Sequence, residues 1–253
     1  MSVVNKVVVF DLDETLGYFQ EFGVLWSSLE VKYSDKVQFD NKLFNSLLDL
    51  YPDLLRPKII DILEMIVKYQ SVKKVCPFLL MIYTNNNGGK EWVDLIINYF
   101  KSKVVGLKFD HIINAFKIND KIIEPSRTGY EKKHSDFLKI TKLPKNTQIC
   151  FIDDVFHPQM ENDNIVYLHI KPYTYDLDAS QFMGPLMKHN IFGAKDFIDE
   201  ETLELLKLNL DNGYTNEQDN GKKSELEQKV DIIVSKQLQC FLQEFILEVG
   251  DEY

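Results

Sequence analysis

Short, unbroken apolar runs alternate along this chain with longer stretches in which apolar residues recur every three or four positions. KVVVF (Lys6 to Phe10) is the first run, followed by PFLLMIY (Pro77 to Tyr83), QICFI (Gln148 to Ile152) and NIVYLHI (Asn164 to Ile170). FDHIIN (Phe109 to Asn114) is a weaker fifth. Such β-branched and aromatic runs predict strands buried on both faces, as in a parallel sheet. Between them, Arg56 to Gln70 carries Ile59, Ile60, Leu63, Ile66 and Val67 on one helical stripe, with Pro57 suited to the first turn. Gly89 to Ser102 and Glu131 to Leu143 predict two further helices. Strands alternating with helices predict an α/β fold with a mainly parallel central sheet.

Two segments break the alternation. Residues 17–55 are too long for a connection and too apolar for disorder. They predict an insertion above the end of the first strand, helical in its second half. Tyr18, Phe19, Phe22 and Trp26 predict a small core within it, Tyr18 and Phe19 lying near enough to the strand end to border a site. Residues 211–224, rich in Gly and Asn, predict a linker. Residues 225–253 predict an amphipathic helix with Leu226, Val230, Ile233, Val234, Leu238, Phe241, Phe245 and Ile246 on its apolar stripe. The chain thus divides into a core of residues 1–210, a linker and a terminal helix. That helix is expected to pack on its own core, a homodimer contact being the alternative.

Composition narrows the class. At 253 residues, 45% hydrophobic and 27% charged, the chain is globular with material for a full core. A formal charge of −10 argues against nucleic acid as its main partner. Cys76, Cys150 and Cys240 are odd in number and far apart, so they build neither a disulfide framework nor a zinc site. Cys76 and Cys150 lie in apolar stretches and are expected in the core. No run approaches the ~20 apolar residues of a membrane span, and the first is too short for a signal peptide. The expectation is a soluble intracellular protein, cytoplasmic or nuclear.

Parallel sheets bind ligands beyond the carboxyl ends of their strands. Asp11 and Asp13 follow the first run, Thr84 and NNNGG the second, Asp153 and Asp154 the third. Asp11 and Asp13 can face one spot where the chain curls. Two carboxylates so close raise each other's pKa and repel, which a hard divalent cation offsets. Such a pair suits phosphoryl transfer, one acid attacking phosphorus and the other moving protons. Thr84, Asn85 and the amides that follow offer donors to phosphate oxygens. A lysine from the 131–143 helix, Lys132 or Lys133, would neutralise charge on those oxygens. His157 is expected to be structural, and Arg127 to lie on the surface, a grip on a second anionic group of the substrate being the alternative.

DLDETL, MIYTN, a lysine ahead of DFL, and CFIDD resemble the four motifs of the haloacid dehalogenase superfamily, in order. The resemblance covers roughly residues 5–175, with 17–55 set aside. It implies a Rossmann-like three-layer core, a Mg²⁺ cofactor and a covalent aspartyl phosphate. It implies that Asp11 is the nucleophile and Asp13 the general acid/base, which also touches the metal through its backbone carbonyl. Thr84 would be the phosphate-binding hydroxyl, with Asp153 and Asp154 completing the Mg²⁺ site. Family lysines precede the first core pair, here Phe137 and Leu138, by five and six positions, which favours Lys132 over Lys133. Lys133 and Asn85 are then expected to contact substrate.

An aspartate two places after the nucleophile implies phosphomonoester hydrolysis rather than ion pumping or dehalogenation. DLDETL followed by LRP (Leu55 to Pro57), and FHP…NDNIVYLHI, are similar to phosphatases of the RNA polymerase II C-terminal domain. The chain departs from them in its long insertion, in YTNNN, and in Asp154 where they have asparagine. The implied substrate is a phosphoprotein, with a small metabolite or nucleotide as the alternative. The rival is a non-catalytic scaffold that recruits a partner.

Overall fold

The computed structural model describes residues 6–72, 77–189, 199–213 and 223–248. Cys76 and the residues from 249 onward lie outside them, as does the linker from 214 to 222. In chain order the elements are β1 (Lys6–Phe10), α1 (Gln20–Tyr33), α2 (Asn41–Leu48), α3 (Ile59–Gln70), β2 (Phe78–Tyr83), α4 (Gly89–Lys103) and β3 (His111–Ile113). A small hairpin of β4 (Lys117–Ile118) and β5 (Lys121–Ile122) follows, then α5 (His134–Thr141), β6 (Gln148–Asp153), β7 (Ile165–His169), α6 (Ala179–Lys188), α7 (Glu200–Gly213) and α8 (Glu225–Leu247).

The five-stranded sheet has the order β3-β2-β1-β6-β7, every pairing parallel. It is the α/β arrangement with a parallel central sheet that the alternation predicts, in the Rossmann-like three-layer form that the resemblance implies. Register is what builds the site. Phe10 lies level with Ile82 on one side and Ile152 on the other, so the three central strands end together. Side chains alternate between two cores. Val8 and Phe10 enter the larger with α1 to α4 and α6 to α8, while Val7 and Val9 meet Phe137 of α5 in the smaller. No helix among the described residues is long and apolar enough to cross a membrane.

Several elements differ from expectation. The insertion is helical in both halves, because Phe22, Leu25, Trp26, Leu29 and Tyr33 form a stripe of their own. It has no separate core; Phe22 and Phe44 pack edge-on at 5.3 Å within the main cluster and also meet Trp92 of α4. Pro57 is not in α3: it sits in a turn before Lys58, whose φ of 62° puts it in the left-handed region. That turn sends Arg56 inward. α5 begins only at His134, since Asp136 accepts hydrogen bonds from the Thr128 N–H (2.8 Å) and hydroxyl (2.9 Å) and pins the approaching chain as a loop. Lys132 therefore comes from an extended segment, not from a helix.

α7 runs on to Gly213, shortening the predicted linker. α8 packs on the chain's own core through Leu238, Leu242, Phe245 and Ile246. Its buried face also holds Asp231 and Ser235, while Leu226, Ile233 and Phe241 of the predicted stripe face solvent. The helix is turned this way by polar partners. Lys171 and Lys223 both pair with the buried Asp231, and the Lys6 ammonium donates to the Phe245 carbonyl at 2.8 Å.

Glu21, in the first turn of α1, is buried, with Tyr18 donating to one carboxyl oxygen at 3.2 Å and, among the described residues, no donor within hydrogen-bond geometry of the other. Burial, with the Asp176 charge adding to it, pushes this carboxyl up to about 8. Between its ordinary range and that value the folded chain binds a proton that the unfolded chain releases, so stability falls as pH rises through the window. Glu21→Gln should flatten that slope, and thermal melts of both proteins at acidic and mildly alkaline pH will read it.

Candidate active site

Asp11 is the first residue past β1, and its N–H donates to the Ile152 carbonyl at 2.8 Å. The chain then curls tightly. Leu12 and Leu16 anchor in the core, Glu14 adopts a φ of 54°, and its N–H donates to the Gly17 carbonyl at 2.7 Å. Only glycine fits at position 17, where a Cβ would lie 2.7 Å from the Leu54 carbonyl oxygen.

The curl is held from below by Arg56, fully buried, which donates to the carbonyls of Thr15 (2.6 Å), Glu14 (2.6 Å) and Lys171 (2.8 Å) and stacks over Tyr173. Arg127 does the same for the loop after β2. It is buried rather than on the surface, and donates to the carbonyls of Thr84, Asn114 and Tyr130 and to Asn85 Oδ1 at 2.7 Å. The Arg127 guanidinium also lies over the Tyr83 ring, 4.8 Å from its centre.

At the centre, Lys132 Nζ donates to Asp11 Oδ1 at 2.5 Å and to Asp153 Oδ2 at 2.7 Å, all three side chains being buried. Asp154 accepts from the Thr15 hydroxyl at 3.1 Å. Asn86 donates to Asp13 Oδ2 at 2.8 Å and accepts from the Gly88 N–H, tying the second loop to the first. Thr84 is fully buried and its hydroxyl oxygen accepts from the Asn86 N–H at 2.9 Å. Asn85 lines the cavity; Lys133 does not, its residue being the extended cap of α5. His157, also in the wall, is 3.7 Å from Asp153 Oδ2, and burial first, then Lys132, lowers its pKa.

Four carboxylates thus share one lysine. Burial raises Asp11 well above the carboxylate range; Lys132 opposes this, and Asp153 and Asp13 add to it. Burial likewise raises Asp13, against the Asn86 hydrogen bond, and raises Asp154, with the Asp153 charge adding. Burial alone would lower Lys132, but the Asp11 and Asp153 charges outweigh it and raise its pKa. Four carboxyl groups crowded around one ammonium, three of them held above their ordinary range, are surroundings in which a divalent cation would favour the ionised forms.

The donor set fits such a cation. Asp11, Asp153 and Asp154 each offer an oxygen, all within 4.8 Å of one another. Octahedral Mg²⁺ places its oxygens about 3 Å apart on an edge and about 4 Å apart across the ion, a modest contraction from this spread. The Asp13 carboxylate is not in that group, because Asn86 turns it towards the second loop.

No protein-family model, curated protein or solved structure matches the chain. Its chemistry is read from this geometry. Three contributors escaped the sequence reading as site residues: Arg56, Arg127 and Asn86. The signal was the rarity of arginine beside many lysines. A planar fork with five donors can hold several carbonyls at once, as an ammonium cannot.

Proposed function

We propose that this chain is a Mg²⁺-dependent phosphomonoester hydrolase of the haloacid dehalogenase type, working through an aspartyl phosphate. One observation carries the reading: Asp11 and Asp153, brought level at the ends of adjacent strands, share the buried Lys132. A purely structural ion pair would not need two further acids, Asp13 and Asp154, held beside it above their ordinary pKa.

Asp11, Asp153 and Asp154 would hold Mg²⁺, which when bound screens the anionic nucleophile from the phosphate it approaches. An Asp11 oxygen attacks phosphorus in line with the departing alkoxide. The bond from phosphorus to the substrate oxygen breaks as the new one forms, and Asp13 gives that oxygen its proton. Burial suits Asp13 to this task, since it favours the protonated form. Asp13 then takes a proton from water, whose oxygen displaces Asp11 and frees inorganic phosphate. Lys132, already within hydrogen-bond reach of the nucleophile, balances charge on the phosphoryl oxygens. Asn85 and the N–H groups opening α4 would donate to the phosphoryl oxygens from the second loop, with Thr84, buried behind the cavity wall, holding that loop through the Asn86 N–H. Free thiols at Cys150 and Cys240 fit a reducing compartment, cytoplasmic or nuclear.

The test is hydrolysis of p-nitrophenyl phosphate by the purified chain. Turnover should require Mg²⁺ and stop on chelation with EDTA. No metal-dependent release of nitrophenolate would leave the chain a scaffold without this chemistry.

A further inference from the structure

The acid cluster is the floor of a groove of about 1310 Å³ that runs between α1 and the N-terminal half of α4 and reaches Asn209 on α7. Sites for small ligands are commonly about 300–1,000 Å³, so this one has room for an extended segment of chain. Its charge is one-sided. Nine lining residues are Asp or Glu and one, Lys132, is a lysine, whereas the whole chain carries 39 acids to 29 bases. Setting the metal cluster aside, Glu30, Asp40, Glu91 and Asp94 line the walls, and among the described residues none of the four has an ion-pair partner. Trp92 also lines the groove, its indole packed against the Gly23 and Gly88 backbones and the rings of Phe22 and Phe44.

Resting on the phosphatase reading, we propose that the substrate is a phosphoprotein segment with lysine or arginine beside the phosphorylated residue. A substrate phosphate must descend to the one place where cations, Lys132 and the bound metal, can meet it. Everything around that place repels further anions. A polyphosphate, a nucleic acid or an acidic peptide brings negative charge against Glu91 and Asp94. A basic segment brings positive charge to them instead. The walls thus select by repulsion as much as by attraction.

The experiment compares kcat/KM of the full chain on two phosphoserine peptides differing only in flanking residues, lysines in one and glutamates in the other. Phosphoethanolamine and p-nitrophenyl phosphate serve as further arms. The basic peptide should be preferred by about tenfold or more, the worth of a few exposed charge pairs, and the preference should shrink as salt is raised. Glu91→Gln with Asp94→Asn, the first exposed and the second half-buried, should narrow the ratio between the peptides to about threefold or less. Equal turnover of the two peptides, or preference for the acidic one, overturns the proposal while p-nitrophenyl phosphate turnover upholds the phosphatase reading. So does preference for phosphoethanolamine over the basic peptide. No Mg²⁺-dependent turnover of any substrate overturns both.

Discussion

On the proposed mechanism, Asp11→Asn will lower Mg²⁺-dependent phosphatase activity by about a thousandfold or more and leave the melting temperature where it was, or slightly higher. The two halves of that expectation come from one fact, the burial of the carboxylate. As the proposed nucleophile Asp11 has no substitute, since asparagine has the same shape but no anionic oxygen to attack phosphorus. Losing the nucleophile of a covalent mechanism removes the whole pathway, not one contribution to it. For folding, however, the charge at Asp11 is a cost. Burial and the neighbouring acids hold its pKa high, so the ionised form is disfavoured where it stands. A neutral side chain of equal volume relieves that, while Lys132 retains Asp153. Aryl phosphate assays beside thermal melts read both quantities. Retained activity would remove Asp11 from the chemistry, and a collapsed fold would make it a structural residue.

Lys132→Met should act the opposite way on stability. It keeps the length and apolar stem of the side chain and removes the one cation between Asp11 and Asp153. Breaking a buried pair from one side costs about 3–5 kcal/mol, because the remaining charge is left uncompensated. Two conditions should restore part of it. With Lys132 gone the Asp11 carboxyl rises further, so the folded variant binds a proton more tightly than the unfolded chain does. By linkage the defect is then largest at alkaline pH and smaller at acidic pH. Mg²⁺ should also raise the melting temperature of Lys132→Met by more than that of the parent, since binding only the folded state stabilises it. Melts over a pH series with and without Mg²⁺ decide this. A loss equal at every pH and indifferent to Mg²⁺ would place the cation elsewhere.

What the sequence made legible, and what it hid, divides along physical lines. Continuous apolar runs have one good use in a chain of this composition, so β1, β2, β6 and β7 could be read directly, together with the acids at their ends. Parallel register then brings Asp11 and Asp153 level with no further information. Interactions that depend on a side chain reaching far from its own segment were not legible. Arg56 and Arg127 work by gripping carbonyls that belong to other loops, and nothing in their own neighbourhoods announces that. The rotation of α8 was hidden for the same reason: Asp231 is polar in sequence but buried in fact, because Lys171 and Lys223 come from outside the helix to meet it. The origin of Lys132 in a loop turned on Asp136 bonding back to Thr128, a local competition that periodicity cannot register.

The grip of Arg56 has a consequence in time. It joins the carbonyls of Glu14 and Thr15 to that of Lys171, whose ammonium in turn holds Asp231 on α8. Asp11 and Asp13 are made before Arg56 and long before Lys171 and Asp231, the residues whose contacts fasten their loop. Contacts so far apart in sequence close late, after their loop entropy has been met by the sheet and the larger core. Until then the two acids sit on an unfastened turn. The loop that carries Asp11 and Asp13 is thus made well before the contacts that set it.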